Sequence, residues 1–281
     1  MKARNISCTC IFLVFLAADC SPGFHQKKTR CEYRDLSYID EIIPIQDTVV
    51  IPVVYQNPIE LSKLSISERK QKFIDMILPS ILIVRFDLEQ KIKRITYLEN
   101  KIAKGNPLTQ KDSSFVLSLM NEFQTNDLSE LKIRMKPHPV SIALAQAALE
   151  SGWGTSRFFR EGNNIFGVWS FDPKEKRIEA SIRRDDQAVY LRKFDNIQEA
   201  IQNYYATIGR VSAYKAFRKA RIKNNLSPEK MIKYLDKYSE MGGDYVDLLR
   251  GVIRSNNLTR YDKYTIDQAF IFEDKWYILK S

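Results

Sequence analysis

Histidine is nearly absent: His25 and His138 are the only two in 281 residues. A zinc site built on three imidazoles is therefore excluded. Cysteine is scarce too, with four residues. Cys8 and Cys10 fall in the opening apolar stretch, Cys20 and Cys31 after it, and no C-x-x-C spacing or catalytic cysteine context occurs. Glycine and proline number ten each, too few for a collagen or a Gly/Ser-rich linker protein. Beyond the first twenty positions no run of about 20 apolar residues exists, so no internal transmembrane helix is supported. Internal repeats, low-complexity tracts and long runs of like charge are also missing.

What is present is enough apolar mass for a core. Hydrophobic residues make up 44% and aromatics 11%, which excludes a disordered chain. Lys and Arg total 44 against 34 Asp and Glu, a net charge of +10. That balance points to an acidic partner, either nucleic acid or an anionic polymer of a cell envelope. No basic stripe interleaves with aromatics along one helix, which argues against nucleic acid. Solvated helix faces account for most of the charge.

Residues 1–20 have the form of a secretory signal: Lys2 and Arg4, an apolar centre from Ile6 to Ala18, then small residues. An uncleaved anchor is the alternative. Leu16-Ala17-Ala18-Asp19-Cys20 is similar to a lipoprotein signal ending at Cys20, although Asp19 stands where a small residue is usual. After cleavage Cys20 and Cys31 remain, free for pairing, lipidation or neither.

Residues 21–58 read as an irregular leader broken by Gly23, Pro44, Pro52 and Pro58. Residues 59–281 then form one domain: a helical layer over about 59–130, a core over about 131–265 and a short β tail. Ser65-Ile66-Ser67-Glu68 is a capping box opening a helix that Pro79 kinks or divides and that runs to about Lys104. Helices follow at 111–124, at 141–150, and at 197–209, 212–222, 228–238 and 243–255. Arg177 to Arg184 and Ala188 to Phe194 alternate around Asp185-Asp186-Gln187 as a hairpin. The tail, Ala269 to Phe272 and Trp276 to Leu279, is a second small hairpin candidate. The fold class is mainly α with some β.

The chemistry concentrates in two segments. Ala145-Gln146-Ala147-Ala148-Leu149-Glu150-Ser151-Gly152-Trp153-Gly154 ends an apolar helix on one carboxylate. Gly162-Asn163-Asn164-Ile165-Phe166-Gly167-Val168-Trp169 follows. A helix C-terminus disfavours an ionised Glu150, and burial against Ala147, Trp153 and Phe166 acts the same way. Both keep a proton available for general acid catalysis. A surface glutamate is the bland alternative. Trp153, between two glycines, is either an aromatic platform for a sugar ring or core.

These segments, with Arg177-Ile178-Glu179-Ala180, Lys193-Phe194-Asp195, Ser212-Ala213-Tyr214 and Ile253 to Asp262, resemble the Bax-type branch of the bacterial endo-β-N-acetylglucosaminidases, in glycoside hydrolase family 73. Leu149 stands where a small or polar residue is commoner. The resemblance implies a lysozyme-like helical core with a groove and a β-hairpin lobe. It implies cleavage of the N-acetylglucosaminyl-β-1,4-N-acetylmuramic acid bond of peptidoglycan, with Glu150 as general acid. Glu179 is the second carboxylate it favours, with Asp185 and Asp186 as rivals, and Tyr214 the active-site tyrosine. Ser151, Trp153, Asn164, Phe166 and Trp169 are the substrate-binding candidates. Carboxyls about 6.5–9.5 Å apart imply inversion and about 5–5.5 Å a covalent intermediate; a third route uses the substrate's acetamido group. No cofactor or metal is expected. The partners expected are peptidoglycan strands, with no nucleic acid and no membrane span after signal cleavage, acting as a monomer in the periplasm or envelope. A non-catalytic glycan-binding protein on the same fold is the alternative, as is a muramidase or lytic transglycosylase.

Overall fold

The structure is a computed structural model and describes residues 24–184, 187–223 and 226–273. The signal segment, Asp185 and Asp186 lie outside them. Among the described residues the chain is mainly helical, with four two-stranded sheets.

The chain enters through β1 (Lys27–Thr29) and β2 (Glu32–Arg34), then β3 (Val49–Val50) and β4 (Val53–Tyr55). A capping box at Ser65 and Glu68 opens α1 (Ile66–Ala103), as the sequence predicts. α2 (Gln110–Phe123) and α3 (Leu128–Met135) follow, then α4 (Val140–Ser151) and α5 (Arg157–Gly162). β5 (Arg177–Arg184) and β6 (Gln187–Arg192) form the antiparallel hairpin. α6 (Ile197–Arg210), α7 (Lys215–Arg221), α8 (Pro228–Met231) and α9 (Gly243–Ser255) come next, and β7 (Thr265–Ile266) and β8 (Ile271–Glu273) close the described chain.

α4 is the centre of the fold. Every residue from Val140 to Ala148 is buried. A helix apolar on all sides has to be enclosed by others, and α4 packs against α1, α9 and the 3-10 turns at Leu258–Lys263. Burying a side chain such as Ile142 or Leu144 contributes about 1.5–3 kcal/mol. The helix has only one place for chemistry, its end.

Four expectations change. Pro79 does not divide α1, which runs unbroken for 38 residues. Pro79 is buried within the helix, where packing offsets the one backbone bond a proline removes. The leader is not irregular throughout: β1 pairs antiparallel with β8, β3 pairs in parallel with β7, and β2 pairs in parallel with β4. Strands of two or three residues leave no periodic signal, and the partners of β1 and β3 lie more than 200 positions away. The Ile271 half of the second hairpin therefore pairs with Lys27–Thr29; the Trp276 half lies outside the described residues. The helices read at 212–222 and 228–238 each contain a 3-10 turn, at Ser212–Tyr214 and Ile232–Leu235.

Candidate active site

α4 ends where the sequence places its carboxylate. Gly152 caps the helix in the left-handed region, and Trp153 and Gly154 continue there, with φ of 58°, 57° and 82°. Gly154 is required twice over: a Cβ there would stand 3.1 Å from Phe73 and 3.2 Å from Leu61, in a backbone conformation that side chains resist. Ser151 ties the reversal, its hydroxyl donating to Ala147 O at 2.6 Å and accepting from Gly154 N at 3.1 Å.

Glu150 is half-buried on this turn. Burial pushes its carboxyl up from the ordinary range, and a hydrogen bond from Tyr245 only partly opposes this. Tyr245 Oη donates to Glu150 Oε1 at 2.9 Å. Gln146 Nε2 donates to Tyr245 Oη at 3.1 Å, and Tyr204 Oη donates to Gln146 Oε1 at 2.6 Å. Tyr204 Oη also lies 2.8 Å from His138 Nε2. Because Tyr204 spends its proton on Gln146, His138 Nε2 must be the donor of that last bond. His138 is neutral, burial holding it well below the usual imidazole range.

Glu150 Oε1 already accepts from Tyr245, so a proton on this carboxyl resides on Oε2.

Tyr214 is buried nearby. Its phenol is raised by burial and then by the charge of Glu150, and an aromatic series of Tyr214, Tyr238 and Tyr245 joins them, with ring centroids 5.9 and 5.4 Å apart. The hydrogen bond to Glu150 nevertheless comes from Tyr245. Glu179 is exposed on β5, in register with Tyr190. Its carbonyl accepts from Arg157 Nη2 at 2.7 Å, which ties α5 to the hairpin.

Three substrate-binding candidates have internal partners. Ser151 is the buried tie described above. Asn164 is buried, donating to Val168 O and Arg192 O and accepting from Val168 N. It clamps the loop to the hairpin with both amide hydrogens and one lone pair of Oδ1. Phe166 is stacked on Tyr204 at 4.2 Å. Trp153 is half-buried, edge-on to Phe73 at 5.6 Å, with Lys70 Nζ 5.1 Å from its ring centroid. Trp169 is 44% exposed, its ring beside that of Phe171, which is 83% exposed.

The sequence reading missed Gln146, Tyr238 and Tyr245. Gln146 carried a signal: a lone amide in an apolar helix, one turn before Glu150 and on the same face. Tyr245 carried none, being 95 residues from its partner. Among the described residues no group of three His, Cys, Asp or Glu side chains is placed to hold a metal. No helix among them is long and apolar enough to cross a membrane. Cys31 is half-buried, its thiol donating weakly to Thr29 O; Cys20 lies outside the described residues.

Residues 126–258 match the model of the Glucosaminidase family, described as mannosyl-glycoprotein endo-beta-N-acetylglucosaminidase. The chain is similar to Protein bax of Escherichia coli (strain K12), 28% identical over 123 residues. That match covers 42% of this chain and 43% of that protein, less than half of either. Among solved structures the chain is similar to the catalytic domain of the autolysin Auto from Listeria monocytogenes, at 20% identity and a TM-score of 0.38, over 59% of this chain and 96% of that one. A peptidoglycan hydrolase from Sphingomonas sp. A1 matches at 27% identity and a TM-score of 0.35, over 44% and 79% of the two chains. The glycoside hydrolase domain of FlgJ from Salmonella typhimurium matches at 24% identity and a TM-score of 0.36, over 50% and 90%. The resemblance read from the sequence is borne out over the matched segment.

Proposed function

We propose that this chain, with its glucosaminidase-like segment at 126–258, is a glycoside hydrolase acting on peptidoglycan in the cell envelope, delivered there by the signal at residues 1–20. The bond cut is N-acetylglucosaminyl-β-1,4-N-acetylmuramic acid, and Glu150 is its general acid. The observation that carries this reading is the state of Glu150. It sits on the last turn of a buried helix, with its carboxyl raised by burial and one oxygen committed to Tyr245. A group in that state holds a proton at higher pH than an exposed carboxyl and presents it from a fixed oxygen.

In the reaction Glu150 Oε2 gives its proton to the bridging oxygen as the glycosidic bond breaks. The carboxylate left behind keeps the Tyr245 bond, which strengthens as the acceptor becomes ionised. Glu179 is the second carboxylate, carried on the hairpin beside Tyr190, and activates the water. Tyr214, in the field of Glu150, orients the substrate's acetamido group. Trp169 and Phe171 offer the exposed aromatic surface on which a sugar ring stacks.

The test uses purified peptidoglycan, the parent chain and Glu150→Gln, with products separated by mass. Release of fragments with N-acetylglucosamine at the reducing end, lost in the variant, supports the proposal. Muramic acid or anhydro ends point to a muramidase or a lytic transglycosylase instead. Full lysis by Glu150→Gln would overturn the role of Glu150.

A further inference from the structure

On the other side of the buried tyrosine chain lies a cavity of about 320 Å³, lined by Arg85, His138, Arg221, Lys223, Met231 and Asp262 among others. It does not include Glu150 and plays no part in the reaction above. Its charge is lopsided. Arg85, Arg221 and Lys223 face it against one carboxylate, Asp262, whose two oxygens already accept from Ser141 N at 2.8 Å and Ser141 Oγ at 2.9 Å. Arg85 also lies 3.9 Å from Glu89, outside the cavity wall.

Arg221 is the unusual member. It is only 5% exposed. Its Nη2 donates to Ile133 O and Arg134 O, at 2.7 and 2.6 Å, closing the C-terminal end of α3. Its Nε and Nη1 are buried and have no hydrogen-bond partner. The carboxylate of Glu130 supports its charge but is itself paired with Arg134 at 2.8 Å, and burial outweighs it, pushing Arg221 down to about 9. A buried guanidinium in that condition is costly unless an anion meets it.

His138, 1% exposed, adds the second requirement. Its Nε2 carries the proton donated to Tyr204, so its Nδ1 is a lone pair, and that atom too is buried without a partner. The hydroxyl of Tyr205, whose ring lies 4.8 Å from His138, is likewise buried and unpartnered. A matching ligand therefore needs anionic oxygens for the guanidinium groups and one O–H for the imidazole. Hydrogenphosphate has both; sulfate at neutral pH has only the first, and so does acetate.

We propose that this cavity binds a proton-bearing oxoanion of the hydrogenphosphate type, held by Arg85 and Arg221 with its O–H donated to His138 Nδ1. The site stands whether or not the chain is a hydrolase, and Glu150→Gln should bind as the parent does.

The experiment is calorimetric titration of the purified chain at neutral pH and constant ionic strength. Inorganic phosphate, methyl phosphate, sulfate and chloride are the probes. Saturable phosphate binding is expected, with sulfate about tenfold weaker for want of one hydrogen bond. Arg85→Gln, a half-exposed position on α1, should weaken phosphate about tenfold by loss of one charge-assisted contact. Methyl phosphate binding more tightly than phosphate supports a monoester as the occupant, and weaker binding supports the free ion. Equal affinity for phosphate and sulfate overturns the proposal. So does binding that Arg85→Gln and Arg221→Lys both leave unchanged, or heat no greater than chloride gives.

Discussion

At the end of α4, Glu150 is half-buried, its carboxyl raised, with one oxygen bonded to Tyr245 and a chain of four side chains behind it. On β5, Glu179 is exposed, and the contact that secures its position is made by its backbone carbonyl, not its carboxylate. The first is fixed by the core of the protein. The second is fixed only as well as the hairpin is. A proton donor gains from enclosure, because a low-dielectric setting holds the proton near neutral pH. In the roles proposed above, the enclosed carboxyl is the acid and the exposed one the base.

The division can be broken from either side. Glu150→Gln removes the proton itself and should lower wall-hydrolysis rates by about a thousandfold, measured as turbidity loss of purified walls with the fold checked by circular dichroism. Glu179→Gln should cost about a hundredfold. A loss under about tenfold would remove Glu179 from the mechanism in favour of the substrate's own acetamido group. Tyr245→Phe sharpens the contrast without deleting either carboxyl. A bond donated to a carboxylate favours its ionised form, so losing it raises Glu150 further. The alkaline limb of the pH–rate profile should then move to higher pH, with turnover down about tenfold; an unmoved limb would separate Tyr245 from the acid.

The smallest effect is on stability. The folded state keeps the Glu150 proton at pH values where the unfolded chain has released it. Stability therefore falls as pH rises from the ordinary carboxyl range through the raised value. Glutamine does not titrate, so Glu150→Gln should melt above the parent at about pH 8, with the difference closing toward about pH 4.

How much of this was legible in the sequence depends on how local the cause is. The Ser65–Glu68 capping box, the apolar run of α4 and the alternation of β5 and β6 each depend on neighbours within a turn or a strand, and the elements formed there. The position of Glu150 was equally readable, because the helix and its glycine stop are adjacent in the chain. The partner of Glu150 was not. Tyr214 and Tyr245 are both tyrosines with one charged neighbour in the sequence, and only the packing of α9 on α4 decides that Tyr245 reaches the carboxylate. Asn164 and Ser151 belong to a pattern that reads as a binding motif, while their hydrogen bonds hold the loop and the turn together. The pairing of β1 with β8 and of β3 with β7 depends on the chain closing on itself.

The amide of Gln146 has one more consequence. Hydroxyls and imidazoles can hand a proton along a row, but an amide can do so only by passing through its imidic acid form, which is far too unstable to act as a relay. The row from His138 to Glu150 is therefore an insulator with a direction: it aims the carboxyl but cannot refill it. In the reaction proposed above, the lost hydrogen then comes back through Oε2, from the water that enters as the cut sugar departs.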